Sequence, residues 1–167
     1  YPDSLGGMVA LVNVGHETTN VNIMDDGVPI VVRDIPFGSR RIREALQRER
    51  GLTADQAEQV IQGHEKALDL ESFVTERVDE LAVGIERAIA FITAQSGGEG
   101  VEHVFLSGGG ARVPGVVAAL GDRLGVATQM ANPLERVAVR PEVNMELSLD
   151  EIAPMLMLPV GLALRQA

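Results

Sequence analysis

The chain has 167 residues, 46% hydrophobic and only 3% aromatic, enough for one ordinary domain whose core must be filled by Val, Leu, Ile and Ala. Its formal net charge of −10 argues against nonspecific binding to nucleic acid or anionic lipid, and the absence of cysteine excludes a disulfide framework and thiolate metal sites. No run reaches the ~20 apolar residues of a membrane span, and Tyr1 to Gly7 has neither the charged nor the apolar region of a signal peptide. A soluble, non-exported chain is expected, and one that enters strand-like sequence almost at Tyr1, as a piece cut from a longer polypeptide would.

Clusters of β-branched residues predict strands over about 8–14, 18–25 and 28–34, with Asp25-Asp26-Gly27 as a hairpin turn, hence an antiparallel meander. Ile42, Ala45 and Leu46 recur at helical spacing and predict a helix over 39–50, stopped by Gly51. Thr53 and Gln56 form a capping box for a short helix that Gly63 ends. Leu70, Val74, Val78, Leu81, Ile85 and Ile92 lie on one stripe, predicting a long helix over about 70–95 that ends at Gly97-Gly98. A strand over 101–106, a helix over 114–124, a strand over 126–131 and a final helix from the Ser148–Glu151 capping box to about 165 complete the chain.

Two segments carry chemistry. In Phe105-Leu-Ser-Gly-Gly-Gly-Ala-Arg-Val-Pro-Gly-Val116 a strand runs into Gly108, Gly109 and Gly110 and then to Pro114, which suits the first turn of a helix. Backbone without Cβ lets a ring or a phosphate approach closely, and a helix N-terminus beyond it would favour an anion; such turns also serve close packing alone. In Asn13-Val-Gly-His-Glu-Thr-Thr-Asn20, Gly15 permits close approach, and the hydroxyls of Thr18 and Thr19 can donate to phosphate oxygens, although a plain hairpin uses the same residue types. His16, His64 and His103 have no paired spacing, so no metal site follows from them. The arginines between Arg40 and Arg50, with Glu44 four residues before Arg48, read as a solvated helix face.

In this order the segments resemble the actin, Hsp70 and sugar-kinase superfamily, and within it the PilM family of FtsA-like type IV pilus assembly proteins. The resemblance rests on the Asn13-Val14-Gly15 hairpin, Arg33-Asp34-Ile35 to Gly38 with Glu44 to Glu49, the 105–116 loop, Asn132-Pro133-Leu134-Glu135-Arg136-Val137, and Val160 to Arg165. It implies an α/β fold: a ribonuclease-H-like (actin-like ATPase) half-domain, with a mixed five-stranded sheet, helices on both faces and a small helical subdomain. Residues 1–167 would be the second half, subdomains 2A and 2B, with about 38–70 as 2B and the first half absent.

The resemblance further implies ATP, with Mg²⁺, as the cofactor of the full-length protein. Asn13, Gly15, Thr18, Thr19, Glu58, Gly108, Gly109 and Gly110 would bind it, Asn13 also holding Mg²⁺ through water; Glu86 and Arg87 are further candidates near the base. Four positions depart from the superfamily pattern. Asn13 stands where Asp is usual, which keeps an oxygen but loses the charge Mg²⁺ prefers, so that hydrolysis would be slow or absent. Gln62 replaces the Lys that follows Glu58, Ser39 replaces a second Gly, and Arg43 replaces a frequent Thr. The implied role is an ATP-binding scaffold in the cytoplasm, peripheral to the bacterial inner membrane. It would link to the cytoplasmic N-terminal tail of PilN through the missing half, beside other pilus platform and motor proteins, with no nucleic acid and no direct membrane span; self-association through the cleft face is open. An FtsA-like filament ATPase and a phosphoryl-transfer enzyme of the sugar-kinase type are the alternatives, the second opposed by Asn13.

Overall fold

The computed structural model describes residues 7–65, 69–97, 100–138 and 148–165. Strands β1 (Met8–Val14), β2 (Thr19–Asp25) and β3 (Val28–Ile35) form the expected meander. Asp26 and Gly27 both take positive φ, 45° and 81°, the two-residue turn whose twist matches the strands it joins. β4 (Val101–Ser107) lies parallel beside β1, and β5 (Ala127–Met130) parallel beside β4. The sheet is therefore mixed and five-stranded, in the order β3-β2-β1-β4-β5.

Strand alternation sends Ala10, Val12, Val14, Val21, Ile23, Val104 and Leu106 to one fully buried face. Against the core lies α3 (Leu70–Gln95), whose Val74, Val78, Leu81, Ile85 and Ala88 are buried. Its 26 residues make a rod of about 39 Å. α4 (Val116–Leu124) packs on α3, while α1 (Ser39–Arg50) and α2 (Ala54–Ile61) pack together beyond β3. The Thr53–Gln56 capping box is present on α2. α3 ends at Gln95 with Ser96 as its cap; Gly98, expected to share in ending it, lies outside the described residues.

Two expectations are corrected. The helix expected from 114 begins at Val116, because Gly115 takes φ +91° and Gly109–Arg112 form a separate 3₁₀ turn; Pro114 sits in the link between them. The single helix expected over 148–165 is broken into α5 (Leu149–Ile152), a 3₁₀ turn at Ala153–Leu156 and α6 (Met157–Leu164). Pro154 has no N–H to continue the helical ladder, whereas Pro159 is tolerated in the first turn of α6. Among the described residues, no helix is long and apolar enough to cross a membrane.

Candidate functional site

The two motif segments meet. Asn13 at the end of β1 pairs in register with Ser107 at the end of β4, so the β1–β2 hairpin and the glycine loop leave the sheet side by side. Gly15 closes the hairpin by donating its N–H to the Thr18 carbonyl at 3.1 Å. Gly108 has φ +86°, and a Cβ there would stand 2.5 Å from the Val14 carbonyl oxygen and 2.7 Å from Asn13 Oδ1. A Cβ on Gly110 would stand 2.5 Å from Val14 Cγ1 and 2.9 Å from the Val14 oxygen. These two glycines therefore admit the hairpin. Gly109 differs: it is exposed, and a Cβ there meets nothing within 4 Å.

The hairpin also caps α1. No side chain caps this helix; instead the carbonyls of Gly15 and His16 accept the N–H groups of Ser39 and Arg40 at 3.0 and 2.9 Å. A Cβ at Gly38 would collide with the His16 carbonyl, which accounts for glycine at the entry to the helix. Thr19 belongs to this joint. It is fully buried and its hydroxyl donates to the Phe37 carbonyl at 2.8 Å, so the oxygen expected to reach phosphate is engaged inside the fold. Thr18 is exposed at the hairpin tip. Glu17, a conceivable carboxylate for a metal, is paired with Arg40 at 2.6 Å.

Across the ends of four strands runs a row of polar side chains. Ser107 Oγ donates to Asn13 Oδ1 at 3.4 Å, Asn13 Nδ2 to Asn20 Oδ1 at 3.4 Å, and Asn20 Nδ2 to Asp34 Oδ1 at 2.6 Å. The sequence reading missed Asn20 and Asp34 as members of this row. Strand register was the signal available, since Asn13 faces Asn20 and Asn20 faces Asp34 in the ladder. It also missed the C-terminal segment, whose Pro154 carbonyl accepts the N–H of Gly108 at 2.9 Å.

Glu58 lies apart from this cluster, on α2. Its Oε1 accepts from Gln62 Nε2 at 2.7 Å, and its Oε2 lies 3.5 Å from Arg43 Nη1 of α1, whose buried Nε has no partner among the described residues. Arg43 thus sets a cation on α1 beside Glu58. Glu86 pairs with Arg123 of α4 and is committed to helix packing. The arginine-rich face of α1 is paired as an ordinary helix surface: Arg40 bonds Glu44 at 2.6 Å, and Arg41 bonds Glu80. The Arg40 hydrogen bond holds the Glu44 carboxyl below the usual glutamate range. Glu44 pairs with Arg40 and not with Arg48, as its spacing had suggested. A cavity of about 590 Å³ lies between Gly63, Glu65, Asp69–Ser72 and Pro114; none of the expected site residues lines it, and its carboxylates disfavour phosphate.

The residues present fit a nucleotide and a hard cation in part. Gly109 has open space where a Cβ would stand, and Thr18 is exposed at the hairpin tip. The oxygen groups where β1 and β4 end beside the glycine loop, Asn13 Oδ1 and Ser107 Oγ, are neutral, which suits Mg²⁺ held through water better than a direct carboxylate site.

This architecture is that of the actin-like ATPases. The chain is similar to the ethanolamine utilization protein EutJ from Carboxydothermus hydrogenoformans, with 20% identity and TM-score 0.54 over 95% of this chain and 49% of that one. It is similar also to MreB 5 of Spiroplasma citri bound to AMPPNP, with 14% identity and TM-score 0.55 over 78% and 50%. A stronger likeness, TM-score 0.79 at 28% identity, is to a chain of the PilM-PilN type IV pilus biogenesis complex, over 95% of this chain and 46% of that one. The family model of the type IV pilus assembly protein PilM matches residues 2–167, and the chain belongs to that family. It spans about half the length of each of these three solved chains.

Proposed function

We propose that the chain is the second half, subdomains 2A and 2B, of a two-half ATP-binding scaffold of the type IV pilus machinery, with residues 38–70 as subdomain 2B. The observation that carries this reading is the contact between hairpin and glycine loop, which closes Gly108 and Gly110 against backbone and leaves Gly109 open beside Asn13 and Ser107. In this reading Gly109 faces the nucleotide, Gly15 lets the hairpin turn approach its phosphates, the Thr18 hydroxyl donates to them, and Glu58 accepts from a ribose hydroxyl. Asn13 holds a water of Mg²⁺. The cation, when bound, neutralises phosphate charge; the neutral amide holding its water gives weak support for phosphoryl transfer, so the protein retains ATP and turns it over slowly if at all. MreB 5 bound to AMPPNP supports nucleotide as the ligand class, and the PilM-PilN complex supports PilN as partner; in this reading its cytoplasmic tail is reached through the first half. Localisation at the cytoplasmic side of the inner membrane follows from that partnership. In the same reading the first half covers Leu158, Leu162 and Leu164, which stand exposed on α6.

The test is calorimetric titration of ATP, with and without Mg²⁺, into the two-half protein and its Gly109→Val variant, with phosphate release assayed in the same samples. Because a Cβ at 109 would meet no described atom within 4 Å, the variant is expected to fold as the wild type does and to lose at least about tenfold in affinity, roughly 1.4 kcal/mol. Equal affinity in both proteins removes the loop from the site. Rapid phosphate release by the wild type would favour the sugar-kinase-like enzyme.

A further inference from the structure

An asparagine in place of an aspartate raises a problem that the aspartate does not have. A carboxylate offers oxygen on both sides, whereas an amide offers oxygen on one and N–H on the other, and N–H turned toward a cation repels it. Something must hold the Asn13 amide the right way round.

The row of side chains does so, and its direction is set at its far end. Asp34 can only accept, so Asn20 turns Nδ2 toward it, in the shortest bond of the row at 2.6 Å. Asn20 Oδ1 is thereby left facing Asn13 and accepts from Asn13 Nδ2 at 3.4 Å. With its nitrogen committed to Asn20, Asn13 turns Oδ1 the other way, where Ser107 Oγ donates to it at 3.4 Å and Gly108 lies close. All three donors point from the glycine loop toward Asp34, so each bond polarises the next in the same sense.

The geometry points to Asp34 as the positioning residue of the site: acting through Asn20, it fixes the amide of Asn13 with its oxygen toward the glycine loop and any metal-bound water there. Asp34 does not touch the ligand. The inference rests on the reading that Asn13 faces Mg²⁺ and phosphate, but the orienting step is a property of the protein without ligand.

Two readouts test it, both on the two-half protein. In the nucleotide-free state with asparagine labelled for NMR, Asp34→Ala shifts the side-chain amide signals of both Asn20 and Asn13, the second lying two strands away. An unmoved Asn13 signal would overturn the relay whether or not ATP binds. In calorimetry, Asp34→Ala weakens Mg²⁺·ATP binding by about threefold to tenfold, the change one net hydrogen bond corresponds to, and leaves Mg²⁺-free ATP binding unchanged. The same substitution in an Asn13→Asp background has no effect, because a carboxylate needs no orienting. An equal loss in both backgrounds would mean that Asp34 acts by charge alone and would refute the positioning role. Failure of the wild type to bind Mg²⁺·ATP would count against the nucleotide-site reading, with the NMR shift still deciding the relay.

Discussion

Single glycines divide the labour at the site. Gly38 and Gly108 are surrounded by hairpin backbone and Gly109 by open space, so equal-looking substitutions must have unequal costs. Gly108→Ala forces a Cβ into the Val14 carbonyl at positive φ and is expected to destabilise by about 1–3 kcal/mol or more. Gly109→Ala should stay within about 0.5 kcal/mol. Urea unfolding of the two variants checks this, and similar midpoint losses would contradict the packing assigned to the loop. The triplet was conspicuous in the sequence, but its division was not. What a glycine serves depends on the atom that approaches it, and for Gly108 and Gly110 that atom comes from residues 13–15, more than ninety positions away. Thr19 illustrates the converse: a hydroxyl suited to phosphate is spent on the Phe37 carbonyl because strand alternation turns it inward.

Among the elements, α1 and the C-terminal segment show how far local signals reach. Helix periodicity and Gly51 bounded α1 correctly, yet its cap comes from a hairpin over twenty residues earlier and leaves no trace in the helix sequence. The Ser148–Glu151 box was legible and is present, and Pro154 explains why the helix it opens is so short. That box confers pH dependence. Hydrogen bonds from the Ser148 hydroxyl and backbone N–H hold the Glu151 carboxyl below the usual glutamate range. A lowered folded value means that the stabilisation is complete above the unfolded value of about 4.3 and is lost as pH falls through the folded one. Amide exchange in residues 149–156, taken relative to the intrinsic rate at each pH, should therefore accelerate on acidification through this window, and Ser148→Ala should flatten the dependence. Exchange that rises equally in the variant would show that the box does not hold the segment.

For the molecule as a whole, element order was enough to predict a mixed sheet, because a meander followed by strand-helix-strand admits few arrangements. The meeting of hairpin and glycine loop follows from that topology, since β1 and β4 are neighbours and their ends coincide. The polar row to Asp34 was beyond reach of motif reading, because it depends on registers in three strand pairs at once. The proposal that ATP lies over Gly109 beside Asn13 is checked by hydrogen exchange of the two-half protein with and without Mg²⁺·ATP. Protection confined to the segments around 13–18 and 107–111 is the predicted result. Unchanged exchange there, or protection centred instead on Gly63, Asp69–Ser72 and Pro114, would contradict it.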